Sequence, residues 1–365
     1  MGILKFKHQD WILNGALVLL ALLSLLILSS ISQAPQSSAS IFRLQFFWYL
    51  LSFFVIFFVS QIDLRPLVSY RWIVLSVYLF SLFLLFITLF FEEIRNTRGW
   101  IQLGPLQFQT AEFAKLALLL LLSYFLAKQH VKLARLSIIL KSFIYFILPV
   151  SLVMLQPDAG SAVIFLGLWA GFLLVSGIRW RHLLLGLLIL IFLSFLGWSF
   201  LAPYQQDRIL GFLNPESDPL GVNYNVIQSK IAVGSAGFLG KGFRQGTQVQ
   251  LRFLPEAATD FIFPAFIEEW GFVGGTFVVG LFVVLLFRII RIGGRAHNNF
   301  FRFICIGAVI MLLVQLAINT GSALGFFPVV GVTFPFFSYG GSSLLTSALL
   351  LGIIQSIAVH SSRRF

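Results

Sequence analysis

Charge is what this sequence has least of. Its 365 residues carry 13 Asp and Glu and 25 Lys and Arg, 10% charged in all, where a soluble globular chain has about a quarter. That scarcity excludes a soluble globular protein. Cysteine is almost absent: Cys305 stands alone, which excludes an intramolecular disulfide and Cys-based metal sites and says nothing about compartment. A long polar stretch is missing too. The longest polar interval, about 203–260, is dotted with Ile, Leu, Val and Phe, so residues 1–365 are expected to form one membrane domain.

What is present is hydrocarbon, with 59% hydrophobic residues and 16% aromatics. A run of about 20 apolar residues crosses a bilayer core of roughly 30 Å. Ten such spans are expected, at about 11–30, 45–62, 72–91, 111–127, 137–155, 160–178, 183–202, 261–287, 302–320 and 344–359. The fold class is therefore all-α and polytopic, with a large outer loop between spans seven and eight. The first run precedes "SISQAPQSSAS" but exceeds the roughly 7–15-residue core of a signal peptide, so it is kept as a span.

A net charge of +12 would suggest nucleic acid in a soluble protein; here it sets orientation. With the N-terminus in the cytoplasm, ten spans place sixteen of the 25 basic residues inside, and both termini are cytoplasmic. The acids go the other way: only Asp10 and Asp63 fall inside. Acids are neutral in the topology rule and drift outward, but drift does not explain why several lie against apolar runs, where ionisable groups are rare and usually functional. Chemistry is expected on the outer face.

Three broken segments lie on that face. Residues 203–260 hold turn clusters around "YNVIQSKIAV", which has the spacing of a short amphipathic or interfacial helix. Asn319–Ser343 is apolar yet interrupted by Gly and Pro, which survives at membrane depth only where protein or a water-filled cavity satisfies the backbone. "RNTRGWIQLGPLQFQTAEFAK" carries Glu112 and Lys115 into the fourth span. Such segments are suited to roofing a cavity.

Glu112 and Lys115, at i and i+3, share a helical face and read either as a buried structural pair or as a substrate-positioning pair. Asp158 in "QPDAG" reads as the N-cap of the sixth span. "GSAGFLGKG" fails the Walker pattern, leaving a flexible turn or an anion cradle with backbone N–H groups and Lys241 or Arg244. In "RFLPEAATDFIFPAFIEEWGF", Thr259 or Asp260 reads as a helix cap, or Asp260 as a general base at an apolar boundary. Pro264 fits the first turns of that helix or kinks it.

"QPDAG", "NPESDPLGVNYNVIQSKIAVGSAG", "GKGFRQGTQ", "FLPEAATDFIF", "EEWGFVGG" and "FPFFSYGGSS" occur in an order that resembles the SEDS family of shape, elongation, division and sporulation proteins. "GTQ" with "FLPE" is more similar to its RodA elongation branch than to its FtsW division branch. The resemblance implies a peptidoglycan glycosyltransferase that polymerises lipid II at the outer face of the cytoplasmic membrane, for cell-wall elongation and cell shape. It implies Asp260 as the catalytic residue and matches Glu112 and Lys115 to a family motif; Arg208, Lys241, Arg244, Glu256, Thr259 and Ser338 are expected beside them as substrate-binding residues. Departures are Gln109-Thr110-Ala111-Glu112 for Q-P-S-E, Ala258 where the family has His, and Ala236 for a glycine.

The mechanism so implied has Asp260 take the proton of an acceptor 4-hydroxyl, which attacks a lipid-linked donor and expels undecaprenyl diphosphate with inversion. The leaving group needs positive charge, from Lys115, Arg208, Lys241 or Arg244 or from a divalent cation, Mg or Mn. A class B penicillin-binding protein transpeptidase is the implied partner. The rival from another class is a lipid II flippase, which needs a polar path to the cytoplasmic face. A scaffold for a cell-wall synthase is a third reading; it leaves the outer acids unexplained.

Overall fold

The computed structural model describes residues 8–34, 40–66, 70–94, 97–104, 106–129, 136–178, 181–182, 184, 186, 188, 198–201, 203–214, 221 and 223–361. Among them the helices are α1 (Trp11–Gln33), α2 (Ser40–Gln61), α3 (Arg71–Thr88), α4 (Thr110–Ala127), α5 (Leu136–Leu155) and α6 (Ala159–Val175), followed by α7 (Pro203–Leu213), α8 (Tyr224–Ser235), α9 (Thr247–Gln250), α10 (Ile262–Gly294), α11 (Asn299–Ala323) and α12 (Gly341–Ser361). Eight are long and apolar enough to cross a membrane, and the 17-residue α6 matches the sixth expected span. The expected seventh span, 183–202, and the "PESDPL" of the outer loop lie largely or wholly outside the described residues. The protein is an all-α polytopic membrane protein.

The chain divides into two compact units: Met1–Ile62 with Arg208–Arg295 and Leu312–Phe365, and Asp63–Asp207 with Ala296–Met311. In the first, α1 packs on α2 and α10, and α2 on α12. A Cβ on Gly352 of α12 would meet the Val59 Cβ at 2.8 Å, so glycine sets the close approach to α2. One end of this bundle is polar. Asp10 caps α1 by accepting from Leu13 N at 3.0 Å and pairs with Arg288 of α10 at 2.6 Å. Gln355 of α12 accepts from Asp10 N at 2.9 Å, so the start of α1 and the last turns of α12 share that end.

In the second unit, α3 packs on α4 and α5, and α5 on α6. Asp158 caps α6 as its spacing predicts, accepting from Ser161 N at 2.9 Å. The segment entering α4 forms a two-stranded antiparallel hairpin, β1 (Trp100–Leu103) with β2 (Leu106–Gln109), which the periodicity reading missed. Gln109 donates to Asp158 Oδ2 at 2.9 Å, fixing the hairpin's end at the start of α6.

Candidate active site

A break in α10 shapes the region around the expected catalytic segment. Gly271 has φ 72° and ψ −174°, a conformation essentially restricted to glycine. An unbroken helix would pair the Phe272 and Val273 amides with the Glu268 and Glu269 carbonyls. The "GSAGFLGKG" loop takes all four groups instead. Phe272 N and Val273 N donate to Gly237 O and Phe238 O, both at 3.1 Å, while Lys241 N and Gly242 N donate to Glu268 O and Glu269 O at 2.9 and 3.0 Å. A Cβ on Gly240 would overlap the Glu269 carbonyl, and one on Gly271 the Phe238 carbonyl. Pro264 lies in the first turn, so the break belongs to Gly271 and not to proline.

That pairing bears on the two readings of the glycine run. The Lys241 and Gly242 amides that an anion cradle would need have backbone partners, and the turn is docked along the broken helix. The Lys241 ammonium is also engaged, 2.6 Å from Glu268 Oε1 and 2.9 Å from Thr247 Oγ1. Glu268 is fully buried, and Thr247 Oγ1 and Gln248 N, both at 3.1 Å, donate to the same oxygen. Glu269 is held by the Ser30 hydroxyl of α1. Arg244 is exposed, with φ 61° and its guanidinium over the Phe243 ring.

The Asp260 segment is clamped through its backbone. Tyr339 N donates to Ala258 O at 2.9 Å, the Ser338 hydroxyl to Thr259 O at 2.5 Å, and Asn319 Nδ2 to Asp260 O at 3.0 Å. Ser338 Oγ also accepts from Phe334 N at 2.9 Å, so this expected substrate contact joins two backbone strands. Thr259 donates to the exposed Glu256 carboxylate at 2.9 Å. The N-cap position of α10 falls on Phe261, which has no side-chain cap, so neither Thr259 nor Asp260 occupies that position. Asp260 is half-buried, and a Cβ on Gly331 would stand 3.8 Å from its Oδ2. Arg208 of α7 donates to Val329 O at 3.1 Å, two residues from Gly331.

The partner loop, Val329–Tyr339, is the broken apolar backbone that needs satisfaction inside protein. Ser24 of α1 donates to Phe337 O at 2.6 Å, and from α2 Tyr49 donates to Phe336 O at 2.9 Å and Gln45 to Ser338 O at 3.2 Å. Phe336, a buried non-glycine residue at φ 59°, is held there by these contacts.

Glu112 and Lys115 belong to the second unit, on the first turns of α4, with Nζ 2.8 Å from Oε1. Their side chains are 8% and 1% exposed, so the pair is an internal one, as the shared face predicts. No group of three or more His, Cys, Asp or Glu that would cage a metal occurs among the described residues.

Residues 8–363 match the family described as "Cell cycle protein", that of FtsW, RodA and SpoVE. This chain belongs to that family. It is 39% identical over 275 residues to the peptidoglycan glycosyltransferase MrdB of Escherichia coli K12, covering 73% of this chain and 72% of the relative. It is 33% identical over 368 residues to a probable peptidoglycan glycosyltransferase FtsW of Coxiella burnetii, covering 98% of each. Among solved structures it resembles a chain of a peptidoglycan synthase complex that coordinates polymerization and crosslinking, at TM-score 0.81 and 34% identity over 98% of this chain and 99% of that one. It also resembles the rod shape determining protein RodA of Thermus thermophilus, at TM-score 0.72 and 29% identity, covering 98% of each.

In this FtsW/RodA/SpoVE chain, sequence reading missed the residues that hold the site from behind: Ser24, Gln45, Tyr49 and Asn319. Their signal was available, since each is a polar group inside an apolar span, where polar side chains usually bond across helices.

Proposed function

We infer that this chain is a peptidoglycan glycosyltransferase that polymerises lipid II at the outer face of the bacterial cytoplasmic membrane, in a RodA-like role in wall elongation. The observation carrying this reading is the Asp260 carboxylate, half-buried at the foot of a span and held by three clamps that act on backbone carbonyls. The N-cap position of that span falls on the next residue, Phe261. Named glycosyltransferase relatives support the same chemistry.

In the proposed reaction the acceptor's 4-hydroxyl oxygen bonds to the donor's anomeric carbon as the bond from that carbon to the diphosphate breaks. The hydroxyl proton passes to Asp260, and one displacement inverts the centre. A divalent cation, Mg or Mn, would supply positive charge beside the departing diphosphate. Asp260 and Glu256 are the residues that would hold it, as one or two carboxylates completed by substrate phosphates. The same reading has both termini in the cytoplasm, and a penicillin-binding protein transpeptidase is the proposed partner.

Purified protein in detergent, with and without that partner, should convert lipid II into glycan strands resolved by gel. Translocation of lipid II in vesicles with no strand formation would overturn the reading in favour of the flippase.

A further inference from the structure

A cavity of about 90 Å³ lies in the first unit between α7, α8 and the turn after α11. Its wall carries Arg208, Asn223, Asn225, Lys230 and Gly325. The sequence builds it by close approach: a Cβ on Gly211 of α7 would stand 2.7 Å from Asn223 Oδ1, and Ser229 of α8 donates to Ala323 O at 2.6 Å. Gly325, at φ 77°, leaves room for the lysine, since a Cβ there would come within 2.5 Å of Lys230 Nζ.

Three features define what fits. Two cations line the cavity and no carboxylate does. Lys230 forms no ion pair among the described residues, in contrast to Lys115 and Lys241. The Asn225 side-chain oxygen is buried without a hydrogen-bond partner, and because an amide can turn, this group offers either an acceptor or an N–H donor to a ligand. Size decides between a sugar and a phosphoryl group: the space exceeds the roughly 10–15 Å³ that one water needs but falls well short of the roughly 300 Å³ of the smallest ordinary ligand pockets.

We propose that this cavity is the phosphoryl subsite for the diphosphate of a polyprenyl-linked substrate, with Lys230 and Arg208 supplying the charge and Asn225 a hydrogen bond. The inference rests on the glycosyltransferase reading above. It adds Lys230 and Asn225, which the sequence reading did not single out, and sets them apart from Lys115 and Lys241, whose charges are matched internally. Arg208 connects the subsite to the reaction centre, since its guanidinium is bonded to Val329 O on the segment whose Gly331 borders Asp260.

The test uses the full chain in detergent and follows binding of undecaprenyl diphosphate, undecaprenol and inorganic pyrophosphate beside lipid II polymerisation. Lys230→Met should weaken undecaprenyl diphosphate binding and raise KM for lipid II by roughly 10–100-fold, the value of a charged hydrogen bond. Lys230→Arg should restore most of both. Thermal unfolding should not move, because Lys230 is exposed and without an ion-pair partner among the described residues, and undecaprenol should bind both proteins alike. Undiminished diphosphate binding by Lys230→Met overturns the subsite while leaving the glycosyltransferase reading intact. Loss of pyrophosphate binding alone assigns the cavity to free phosphate and overturns the lipid subsite. Lys230-dependent diphosphate binding by a wild type that never polymerises lipid II upholds the site and overturns the parent function.

Discussion

Lys241 Nζ stands 2.6 Å from Glu268 Oε1 beside the break in α10, with the glutamate fully buried and the lysine side chain 24% exposed. The pair joins the glycine loop to the helix that begins two residues after Asp260. Lys241→Met would leave a buried carboxylate without its countercharge, which costs about 3–5 kcal/mol. Its melting temperature in detergent should fall sharply. Lys241→Met with Glu268→Gln should recover much of the loss, since a neutral amide oxygen still accepts from Thr247 and Gln248.

Gly271 and Gly280 lie on the same helix and should respond in opposite ways. Alanine at Gly271 meets both a glycine-only backbone conformation and the Phe238 carbonyl, a cost of at least about 2 kcal/mol. Folded yield on size exclusion should drop. A Cβ at Gly280 meets nothing within 4 Å, so Gly280→Ala should match or slightly exceed wild-type stability.

Lys115 and Glu112 are buried deeply enough that breaking the pair should be felt in stability whatever their part in catalysis. Lys115→Met alone should destabilise by about 3–5 kcal/mol. The double variant Glu112→Gln, Lys115→Met should regain most of that because no buried charge remains. Polymerisation by the refolded double variant then separates the two roles: near-normal turnover marks a structural pair, and its loss with normal melting marks a substrate contact.

The expected spans that fall on described residues, all but the seventh, were legible because apolar length is a local property of the chain. The Asp158 cap and α8 were legible for the same reason, as spacing within one turn or one helix. The break at Gly271 was not, since it depends on a loop some thirty residues earlier exchanging four backbone bonds with α10. The hairpin before α4 was hidden by its brevity, four residues on each side of a turn. Asp260 stands out in the sequence by its setting at an apolar boundary, but the support of its segment from Ser338, Asn319 and Tyr339 arises from contacts 59 to 81 positions away in sequence. Nothing in the helical spacing of "YNVIQSKIAV" marks Lys230, because only the fold sets it beside Arg208 and Gly325.

The proposed orientation rests on the basic asymmetry and can be tested by labelling. Cys305 is buried, so it contributes little background to a maleimide experiment. Ser217→Cys should react with an impermeant maleimide on intact spheroplasts, and Ser361→Cys only after lysis. Equal labelling of the two would overturn the cytoplasmic placement of the termini.

Asp260→Asn is the most direct test of the reaction. Three clamps on this segment act on the Ala258, Thr259 and Asp260 carbonyls, and asparagine leaves these in place. The N-cap position of α10 falls on Phe261. Asparagine is isosteric, so melting temperature and lipid II binding should stay near wild type. The proton acceptor is lost, and polymerisation should fall by roughly 10²–10⁴-fold, the range for a positioned general base. Asp260→Glu keeps the charge but moves it by one methylene, and should recover only a small part of the rate. If Asp260→Asn polymerises lipid II at a comparable rate, the base lies elsewhere. Glu256 is then the next residue to replace, because it is exposed and hydrogen-bonded to Thr259, whereas Glu268 is fully buried and committed to Lys241.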